Sequence, residues 1–362
     1  MARTTVVPIG PQHPVLVEPI HLRFEVEEEV VVGLTPVIGY NHRGIEKLME
    51  NDWKKNNFLS ERVCGICSHQ HSTCYTQTVE RVMGVEPPER ALLIRTLLFE
   101  LQRIHSHLLI IGLEADAIGY ENLFMQCWRD REIVMRIVEL ISGNRVHYSM
   151  NQVGGVRRDI DDAKVKEIEA ALAAFDVRFA DLDAIMRKDP TWVKRLKGIG
   201  VLTRQQALDL GAVGPVARAS GVDYDVRSTR AHPYGAYHML KSFKPVIRED
   251  GDTWSRMMCR MEELWVTLKI LREILSLMKP GPITVEVKGH PNGQAWSRVE
   301  ASRGELVYFV KGTGKPALDR VKIRTPTFAN IPPLVPMLMG CQVADIPPIV
   351  TAIDPCICCT DR

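Results

Sequence analysis

The stretch ALLIRTLLFELQRIHSHLLIIGLEADAIG, residues 91–119, is a long and largely apolar run that decides the architecture of the chain. Apolar side chains recur at helical spacing over residues 89–114, and a second helical pattern covers residues 130–149. Two long helices in succession indicate an antiparallel bundle. The core of the protein is therefore predicted to be helical.

The same stretch is not predicted to cross a membrane, because Arg95, Glu100 and Arg103 interrupt its apolar residues. The chain begins MARTTVVPIG, without the pattern of a secretory signal, and its nine cysteines are an odd number. We therefore expect a reducing cytosol. A peripheral position in a membrane complex remains compatible with these features.

Other patterns predict small sheets and further helices. HLRFEVEEEVVVG (residues 21–33) reads as a strand near the N-terminus, and ITVEV, ELVYFVKG and RVKIRTP are predicted strands after residue 282. Amphipathic helices are predicted over residues 161–189 and 253–278. Proline-rich loops are predicted around Pro332, Pro333, Pro336, Pro347 and Pro348. The fold class is therefore α+β, mainly α, with a long-helix bundle core and small N-terminal and C-terminal antiparallel sheets.

No repeat or linker divides the chain, so residues 1–362 are predicted to form one interdependent unit. Within it, residues 1–60 are β-rich, residues 61–280 form the bundle, and residues 281–362 form a mixed region with a second cysteine pair. The net charge is +2 with acidic and basic residues interspersed. No basic face indicates a nucleic-acid partner.

Two C-x-x-C pairs lie near opposite ends of the chain. ERVCGICSHQHS contains Cys64 and Cys67, and DPCICC contains Cys356 and Cys359. In a reducing compartment, two such pairs indicate four thiolates on one soft or borderline metal centre. A structural zinc site is the alternative, although zinc knuckles usually close a local loop. A thiol redox protein would need a βαβ context that neither pair has.

The other cysteines have simpler interpretations. Cys74, Cys127, Cys259 and Cys341 stand singly and are predicted to be buried small hydrophobic residues. Cys358 lies inside the second pair and is predicted to point away from it as an unpaired neighbour.

The two pairs resemble the signatures of the large subunit of nickel-iron hydrogenases, R-x-C-G-x-C-x-x-x-H and D-P-C-x-x-C-x-x-[H/R]. The matching residues are Arg62, Cys64, Gly65, Cys67 and His71 in the first and Asp354, Pro355, Cys356, Cys359 and Arg362 in the second. GPQHP, GYNHRGIEK, ELQRIHSHLL, GPVARASGVDYDVR and KIRTPTFANI also resemble the quinone-site subunit of respiratory complex I. The chain is thus similar to energy-converting, membrane-associated hydrogenases of the Ech-type or CO-induced branch.

This resemblance implies a nickel ion held by four thiolates, with Cys64 and Cys356 terminal. Cys67 and Cys359 would bridge to an iron that carries CO and cyanide ligands. The implied activity is the reversible conversion of H2 to protons and electrons. The implied fold is that of the hydrogenase large subunit.

Further roles are implied for residues around the centre. Glu18 resembles the proton-relay glutamate, although Val17 and Pro19 replace the family's neighbours of that residue. Arg303 resembles the arginine that lies over the metal pair, and Asp354 would orient it. His71 would donate a hydrogen bond to a cysteine sulfur. Arg62, Asp354 and His71 would thus position the metal ligands and the residues around them without binding the metals themselves.

Three positions depart from the family or have less specific roles. Glu46 matches a glutamate near a magnesium ion, but Arg362 stands where relatives often have a histidine ligand, so Glu46 would pair with a cation or pass protons instead. Ser106 replaces a family aspartate near the centre. His13 resembles the complex I histidine near the quinone headgroup. His42, His105 and His107 are predicted to be structural.

The five cysteines other than Cys64, Cys67, Cys356 and Cys359 are not expected to supply the four ligands of an iron-sulfur cluster. The implied partners are a small subunit with a proximal iron-sulfur cluster, ferredoxin-like subunits, antiporter-like membrane subunits and ferredoxin, at the cytoplasmic face of the cell membrane. The competing interpretation is a non-catalytic electron-transfer or quinone-docking scaffold with a structural zinc site.

Overall fold

The structure is a computed structural model that describes residues 4–13, 18–229 and 234–362. The strands are β1 (Thr5–Ile9), β2 (His21–Glu27), β3 (Val30–Val37), β4 (Asn151–Gln152), β5 (Gly155–Val156), β6 (Asn292–Ala301), β7 (Gly304–Thr313) and β8 (Leu318–Arg324). The α-helices are α1 (Ile45–Leu48), α2 (Asn56–Glu61), α3 (Ser68–Met83), α4 (Glu89–Ala117), α5 (Glu121–Ser142), α6 (Asp162–Lys188), α7 (Pro190–Leu196), α8 (Arg204–Asp209), α9 (Gly214–Arg218), α10 (Thr253–Leu277), α11 (Pro326–Leu338), α12 (Ile346–Ala352) and α13 (Ile357–Asp361).

Helix α4 is the centre of the bundle and packs against α5, α10 and α12. Its apolar side chains, among them Leu97, Leu101 and Leu108, are fully buried. Its polar residues Glu100 and Arg103 are fully buried as well, so the helix has no solvated face over this length. None of the helices in the described ranges is long and apolar enough to cross a membrane.

Two antiparallel sheets flank the bundle, with strand orders β1-β2-β3 and β6-β7-β8. In β2 the side chains of Leu22 and Phe24 are buried whereas Arg23 and Glu25 are exposed, as the alternating pattern predicts. Helix α3 packs on β6 and β7. The predicted α+β class, mainly α with small terminal sheets, is confirmed. That residues 1–362 form one interdependent unit, with its three regions, stays a prediction.

The proline-rich segment predicted as a loop is instead helix α11, with Pro332, Pro333 and Pro336 inside it. Each proline removes one backbone donor. The helix nevertheless buries an apolar face that includes Leu334 and Leu338. Tertiary packing therefore outweighs the missing hydrogen bonds. Pro347 and Pro348 lie in the first turn of α12, where a missing N–H costs little.

ITVEV was predicted as a strand but makes a single bridge, between Gly155 and Thr284. Its partner β5 has only two residues, so the ladder cannot extend. The second long helix also differs from the prediction. It begins at Glu121 rather than near residue 130 and ends at Ser142.

Candidate metal centre

Four buried thiols from opposite ends of the chain meet at the start of α3. Cys64 Sγ lies 3.4 Å from Cys356 Sγ, and Cys67 Sγ lies 3.5 Å from Cys359 Sγ. Each of the four side chains is at most 4% exposed. The fold thus brings together the four cysteines that the sequence predicts as ligands, although 292 positions separate the partners of each contact.

Arg43 joins the two cysteine segments. Its guanidinium donates to the carbonyl oxygens of Arg62 at 2.8 Å and Val63 at 2.9 Å. It also donates to the carbonyl oxygen of Cys358 at 2.7 Å. One side chain therefore fixes the backbone before the first pair to the backbone inside the second pair. Arg43 lies in the stretch GYNHRGIEK, but no sequence pattern predicts that it joins the two cysteine segments.

The loop that precedes Arg43 also holds the C-terminal helix. The backbone N–H groups of Gly39 and Asn41 donate to the carboxylate of Asp361 at 2.9 and 2.8 Å. His42 Nδ1 lies 2.6 Å from the carbonyl oxygen of Asp361. These contacts tie down the last residues of the chain and agree with a structural role for His42.

The Cys358 thiol does not point away from the pair, which corrects the prediction for this residue. Its Sγ lies 3.3 Å from Cys356 Sγ, and its side chain is half-buried. Cys356 has an extended backbone before α13 begins at Ile357. Because the step from 356 to 358 is not helical, both sulfurs reach the same side.

Two groups of potential ligand atoms can be distinguished in the described residues. The sulfurs of Cys64, Cys356, Cys358 and Cys359 all lie within 4.8 Å of one another, and Cys67, His71 and Cys359 form a second such group. The hydrogen bond from Cys356 lowers the pKa of Cys64 well below its ordinary value. The cluster therefore holds one thiolate readily, and four close thiols suit a soft or borderline metal.

His71 connects the cluster to the sheet. Its Nε2 lies 3.5 Å from Cys359 Sγ, and its Nδ1 lies 2.7 Å from the hydroxyl of Tyr308. Burial lowers the pKa of His71 to about 4, so the imidazole is neutral at physiological pH. A neutral ring that accepts from the tyrosine hydroxyl can donate to the sulfur. This geometry suits the predicted role of His71.

Arg303 and Asp354 form a buried ion pair beside the thiols. Arg303 Nε donates to Asp354 Oδ1 at 2.8 Å and to its carbonyl oxygen at 3.0 Å. Arg303 Nη1 and Asp354 Oδ2 have no hydrogen-bond partner in the described residues. A buried guanidinium N–H without a partner is costly. The N–H of Arg303 Nη1 is therefore available to donate to a group bound over the thiols.

A tight hairpin turn holds Arg303 in place. Ser302 and Arg303 connect β6 to β7, and the turn packs against the backbone of Gly214. A Cβ on Gly214 would lie 2.4 Å from the Cα of Gly304, so this contact requires glycine. Gln70 holds the turn from α3, because its amide bonds to both the N–H and the hydroxyl of Ser302. Gln70 falls on an unspecified position of the first cysteine signature, so no sequence pattern predicts this role.

Glu18 lies against the second cysteine pair. Its Oε2 accepts hydrogen bonds from the backbone N–H of Ile357 and, at 3.0 Å, from that of Cys358. The carboxylate therefore stands at the start of α13, one residue from Cys356. Val17, one of the two neighbours at which this position departs from the family, lies outside the described residues.

Glu46 is fully engaged by protein donors. It accepts hydrogen bonds from Lys322 Nζ at 2.8 Å, from the N–H of Ile323 at 2.9 Å and from Arg362 Nε at 3.1 Å. Burial raises the pKa of Glu46, but these donors outweigh burial and leave it lowered. The geometry thus favours the ion-pair interpretation of Glu46 over the magnesium ligand.

The remaining predicted residues are less directly involved. The side chain of Arg62 donates to the carbonyl oxygen of Phe58 and to Glu61, away from the thiols. Ser106 is buried, and its hydroxyl has no partner in the described ranges. His13 is half-buried at the end of the first described range, and its role stays a prediction.

A buried network of charges, here called the ionic seam, lies between α4, α9, α10 and β6. Its members are Glu100, Arg103, His107, Arg218, Asp225, Arg227, Glu263 and Glu300. Arg218 lies 2.5 Å from Glu263 and 2.6 Å from Glu300. Arg103 Nη2 donates to the carbonyl oxygen of Glu300 at 2.6 Å, three residues before Arg303. The ionic seam therefore supports the strand that carries Arg303.

A cavity of about 560 Å³ opens beside the thiols. Glu18, Arg303, Asp354 and Cys358 line it together with apolar residues such as Leu113. Predominantly apolar walls with a few convergent polar groups are typical of a ligand site. A small molecule in this cavity would meet the sulfurs of Cys356 and Cys358.

The sequence matches two families. The family described as respiratory-chain NADH dehydrogenase, 49 kDa subunit, matches residues 117–291 and 284–362. The family described as nickel-dependent hydrogenase matches residues 43–111. The two matches together cover the first cysteine pair, the bundle and the second cysteine pair.

Individual proteins are similar over nearly the whole chain. The membrane-bound hydrogenase subunit alpha of Pyrococcus furiosus is 38% identical over 98% of this chain and 87% of the relative. The carbon monoxide-induced hydrogenase of Rhodospirillum rubrum is 37% identical over 99% of each chain. A solved chain from the membrane-bound sulfane sulfur reductase, an archaeal respiratory membrane complex, superposes with a TM-score of 0.94. That chain is 32% identical over 99% of this chain and 98% of its own length.

Proposed function

Because this chain belongs to the family that unites nickel-dependent hydrogenases with the 49 kDa subunit of respiratory-chain NADH dehydrogenase, we propose that it is the catalytic subunit of an energy-converting nickel-iron hydrogenase. Its reaction would be the reversible formation and oxidation of H2. Its relatives are subunits of membrane-bound complexes, and the chain is an oxidoreductase-type subunit of the same kind.

The observation that carries the proposal is the meeting of four buried thiols from both ends of the chain. The two sulfur–sulfur distances of 3.4 and 3.5 Å leave room for metal ions after small side-chain adjustments. Arg303 lines the adjacent cavity, and its buried Nη1 has no hydrogen-bond partner in the described residues. Thiolates and a fixed cation together suit a metal centre with anionic ligands.

In this proposal Cys64, Cys67, Cys356 and Cys359 would hold the nickel-iron centre, Cys64 and Cys356 as ligands of nickel and Cys67 and Cys359 as ligands of both metals. When bound, the nickel-iron centre with its CO and cyanide ligands supplies the redox chemistry of H2. The protein's own residues then hold, orient and shield that centre. Burial of all four thiols excludes water from it.

Arg303 would place its free Nη1 against an anionic ligand on iron. Its Nε is held by Asp354, so the guanidinium plane is fixed before anything binds. His71 would donate to Cys359, with its ring orientation set by Tyr308. Such outer contacts commonly change metal affinity or activity by about 10- to 100-fold.

Glu18 would move protons between the centre and the cavity. Its carboxylate lies beside the backbone of Cys358 and lines the cavity. A positioned general base contributes about 10²- to 10⁴-fold to a proton transfer. Asp116 lines the same cavity and is a candidate to receive the proton from Glu18 on its way to solvent.

Replacing Glu18 with glutamine is expected to slow H2/D2 exchange by at least about tenfold, because an amide cannot accept and release the proton. The glutamine oxygen can still accept from Ile357 and Cys358, so the metal centre should assemble normally. The measurements are the exchange rate and the nickel and iron content. Glu25→Gln, on the exposed face of β2, is the matched control. An unchanged exchange rate in the Glu18 variant would assign the relay to another group.

Electrons must leave through a partner. Apart from the four predicted ligands and Cys358, four cysteines remain, and they are dispersed along the chain. Three of them, Cys74, Cys127 and Cys259, are buried singly. We therefore propose a small subunit with a proximal iron-sulfur cluster, with ferredoxin-like and antiporter-like membrane subunits beyond it and ferredoxin as the redox partner. The chain would lie as a peripheral subunit on the cytoplasmic face of the membrane.

The proposed function is tested with the purified complex. H2-dependent reduction of an artificial dye, with one nickel and one iron per chain, is the expected result. The scaffold alternative predicts one zinc per chain and no H2 chemistry. That combination would refute the proposed function.

Reduction of sulfane sulfur is a second candidate, favoured by the similarity to the sulfane sulfur reductase chain and by the Cys358 thiol in the cavity. It predicts that reduced complex consumes polysulfide faster than it evolves H2. Measuring both rates on one preparation separates the two candidates.

A further inference from the structure

Cys358 provides a fifth thiol beside the predicted centre, and its backbone is held from two sides. Its N–H donates to Glu18 Oε2 at 3.0 Å, and its carbonyl oxygen accepts from Arg43 Nη2 at 2.7 Å. With the main chain fixed in this way, the side chain lies 3.3 Å from the sulfur of Cys356. The backbone hydrogen bonds of Cys358 therefore determine where its thiol lies.

The four sulfurs of Cys64, Cys356, Cys358 and Cys359 lie close enough together to bind a single metal ion. All of them lie within 4.8 Å of one another, and two of the contacts are 3.3 and 3.4 Å. A zinc–sulfur bond of about 2.3 Å corresponds to sulfur–sulfur distances of about 3.8 Å in a tetrahedron. The two close contacts would have to lengthen by a few tenths of an ångström to match that geometry.

Cys67 does not belong to this group. Its sulfur lies 3.5 Å from Cys359 and also contacts the Cys64 thiol, but the ligand atoms grouped with it are those of Cys359 and His71. The four-thiol group that is most compact in the structure thus differs in one member from the set predicted for nickel and iron. It contains Cys358 in place of Cys67.

We propose that the metal-free chain binds one thiophilic divalent cation of the zinc type through Cys64, Cys356, Cys358 and Cys359. Such an ion would occupy three of the four thiols predicted for the nickel-iron centre. It would have to leave before that centre could be built. Cys358 would then be needed for this binding mode and dispensable as a ligand of the finished centre.

The proposal does not depend on the hydrogenase activity. Its test uses the full chain, prepared without metal under reducing conditions, and Co²⁺ as the probe ion. Cobalt in a tetrahedral thiolate site has intense visible and near-ultraviolet absorption, which reports geometry and the number of sulfur ligands. We expect one cobalt per chain with the spectrum of four thiolates.

Variants then identify the ligands. Cys358→Ser is expected to weaken cobalt binding at least tenfold and to lose part of the sulfur-to-cobalt absorption. Cys67→Ser should bind cobalt as the wild type does, and Cys341→Ser, which changes a half-buried thiol elsewhere, is the matched control. If Cys67→Ser weakens binding and Cys358→Ser does not, the ion occupies the predicted nickel-iron ligand set and the proposal is wrong. Equal effects, or none, in these two variants would also overturn it.

Folding of each variant is checked by circular dichroism, and Cys358→Ala provides a second substitution at the same position. X-ray absorption of the wild-type cobalt complex counts sulfur neighbours independently of any variant. Fewer than four sulfurs would contradict the proposal. Failure of the hydrogenase proposal would instead appear as absent H2 chemistry in the mature complex, with the cobalt result unchanged.

Discussion

Serine at position 67 or 359 is expected to reduce H2 turnover below detection. Each cysteine is predicted to bridge the two metals, and a hydroxyl is a much poorer ligand than a thiolate for soft metals. The Sγ atoms of Cys67 and Cys359 lie 3.5 Å apart in a buried site. The measurement is dye-linked H2 oxidation by the purified complex.

Cys341→Ser is the control for this experiment, because Cys341 is half-buried and packs in a different hydrophobic cluster from the four thiols. It should retain wild-type turnover and wild-type metal content. Nickel and iron analysis of the Cys67 and Cys359 variants should show loss of one or both metals. Turnover that survives in either variant would disprove the bridging assignment for that residue.

Arg218→Met is expected to lower the free energy of unfolding by about 3–5 kcal/mol, the usual cost of removing one partner from a buried charge pair. Arg218 is fully buried and lies within 2.6 Å of both Glu263 and Glu300. Without the guanidinium, too little positive charge would remain in the protein interior to compensate the negative charges of these two carboxylates. Urea unfolding of the isolated chain measures the effect.

Two comparisons make this test specific. Arg136→Met removes an exposed pair with Glu132, and its stability should match the wild type within error. A double variant that also carries Glu263→Leu should recover part of the loss, because one unpaired carboxylate is removed together with the guanidinium. A small effect of Arg218→Met would show that the ionic seam is hydrated or relaxes without cost.

The long-range architecture was largely predictable from periodicity. The helix predicted over residues 89–114 is α4, Glu89–Ala117, and that predicted over 253–278 is α10, Thr253–Leu277. The relation to nickel-iron hydrogenases and to the complex I subunit is confirmed by the family matches. Motifs at fixed spacing carry this information because their residues make the same contacts wherever the fold occurs.

The errors arise where tertiary contacts override local patterns. Prolines indicated a loop, but burial of Leu334 and its neighbours keeps α11 helical. The thiol of Cys358 was misplaced because the backbone before α13 is extended.

The ionic seam was missed for a different reason. Charges such as Glu100 and Arg103, three residues apart on a helix, are usually a solvated pair. Their burial follows from the packing of α10 on α4 and from the hydrogen bonds of Arg103 to the backbone of β6.

The infrared spectrum of the purified complex, between the protein amide bands and the S–H region, tests the central claim most directly. Metal-bound CO and cyanide absorb there with little interference. We predict such bands in complex that contains one nickel and one iron per chain. One zinc per chain with no bands in this window would contradict the assignment of Cys64, Cys67, Cys356 and Cys359 to a nickel-iron centre.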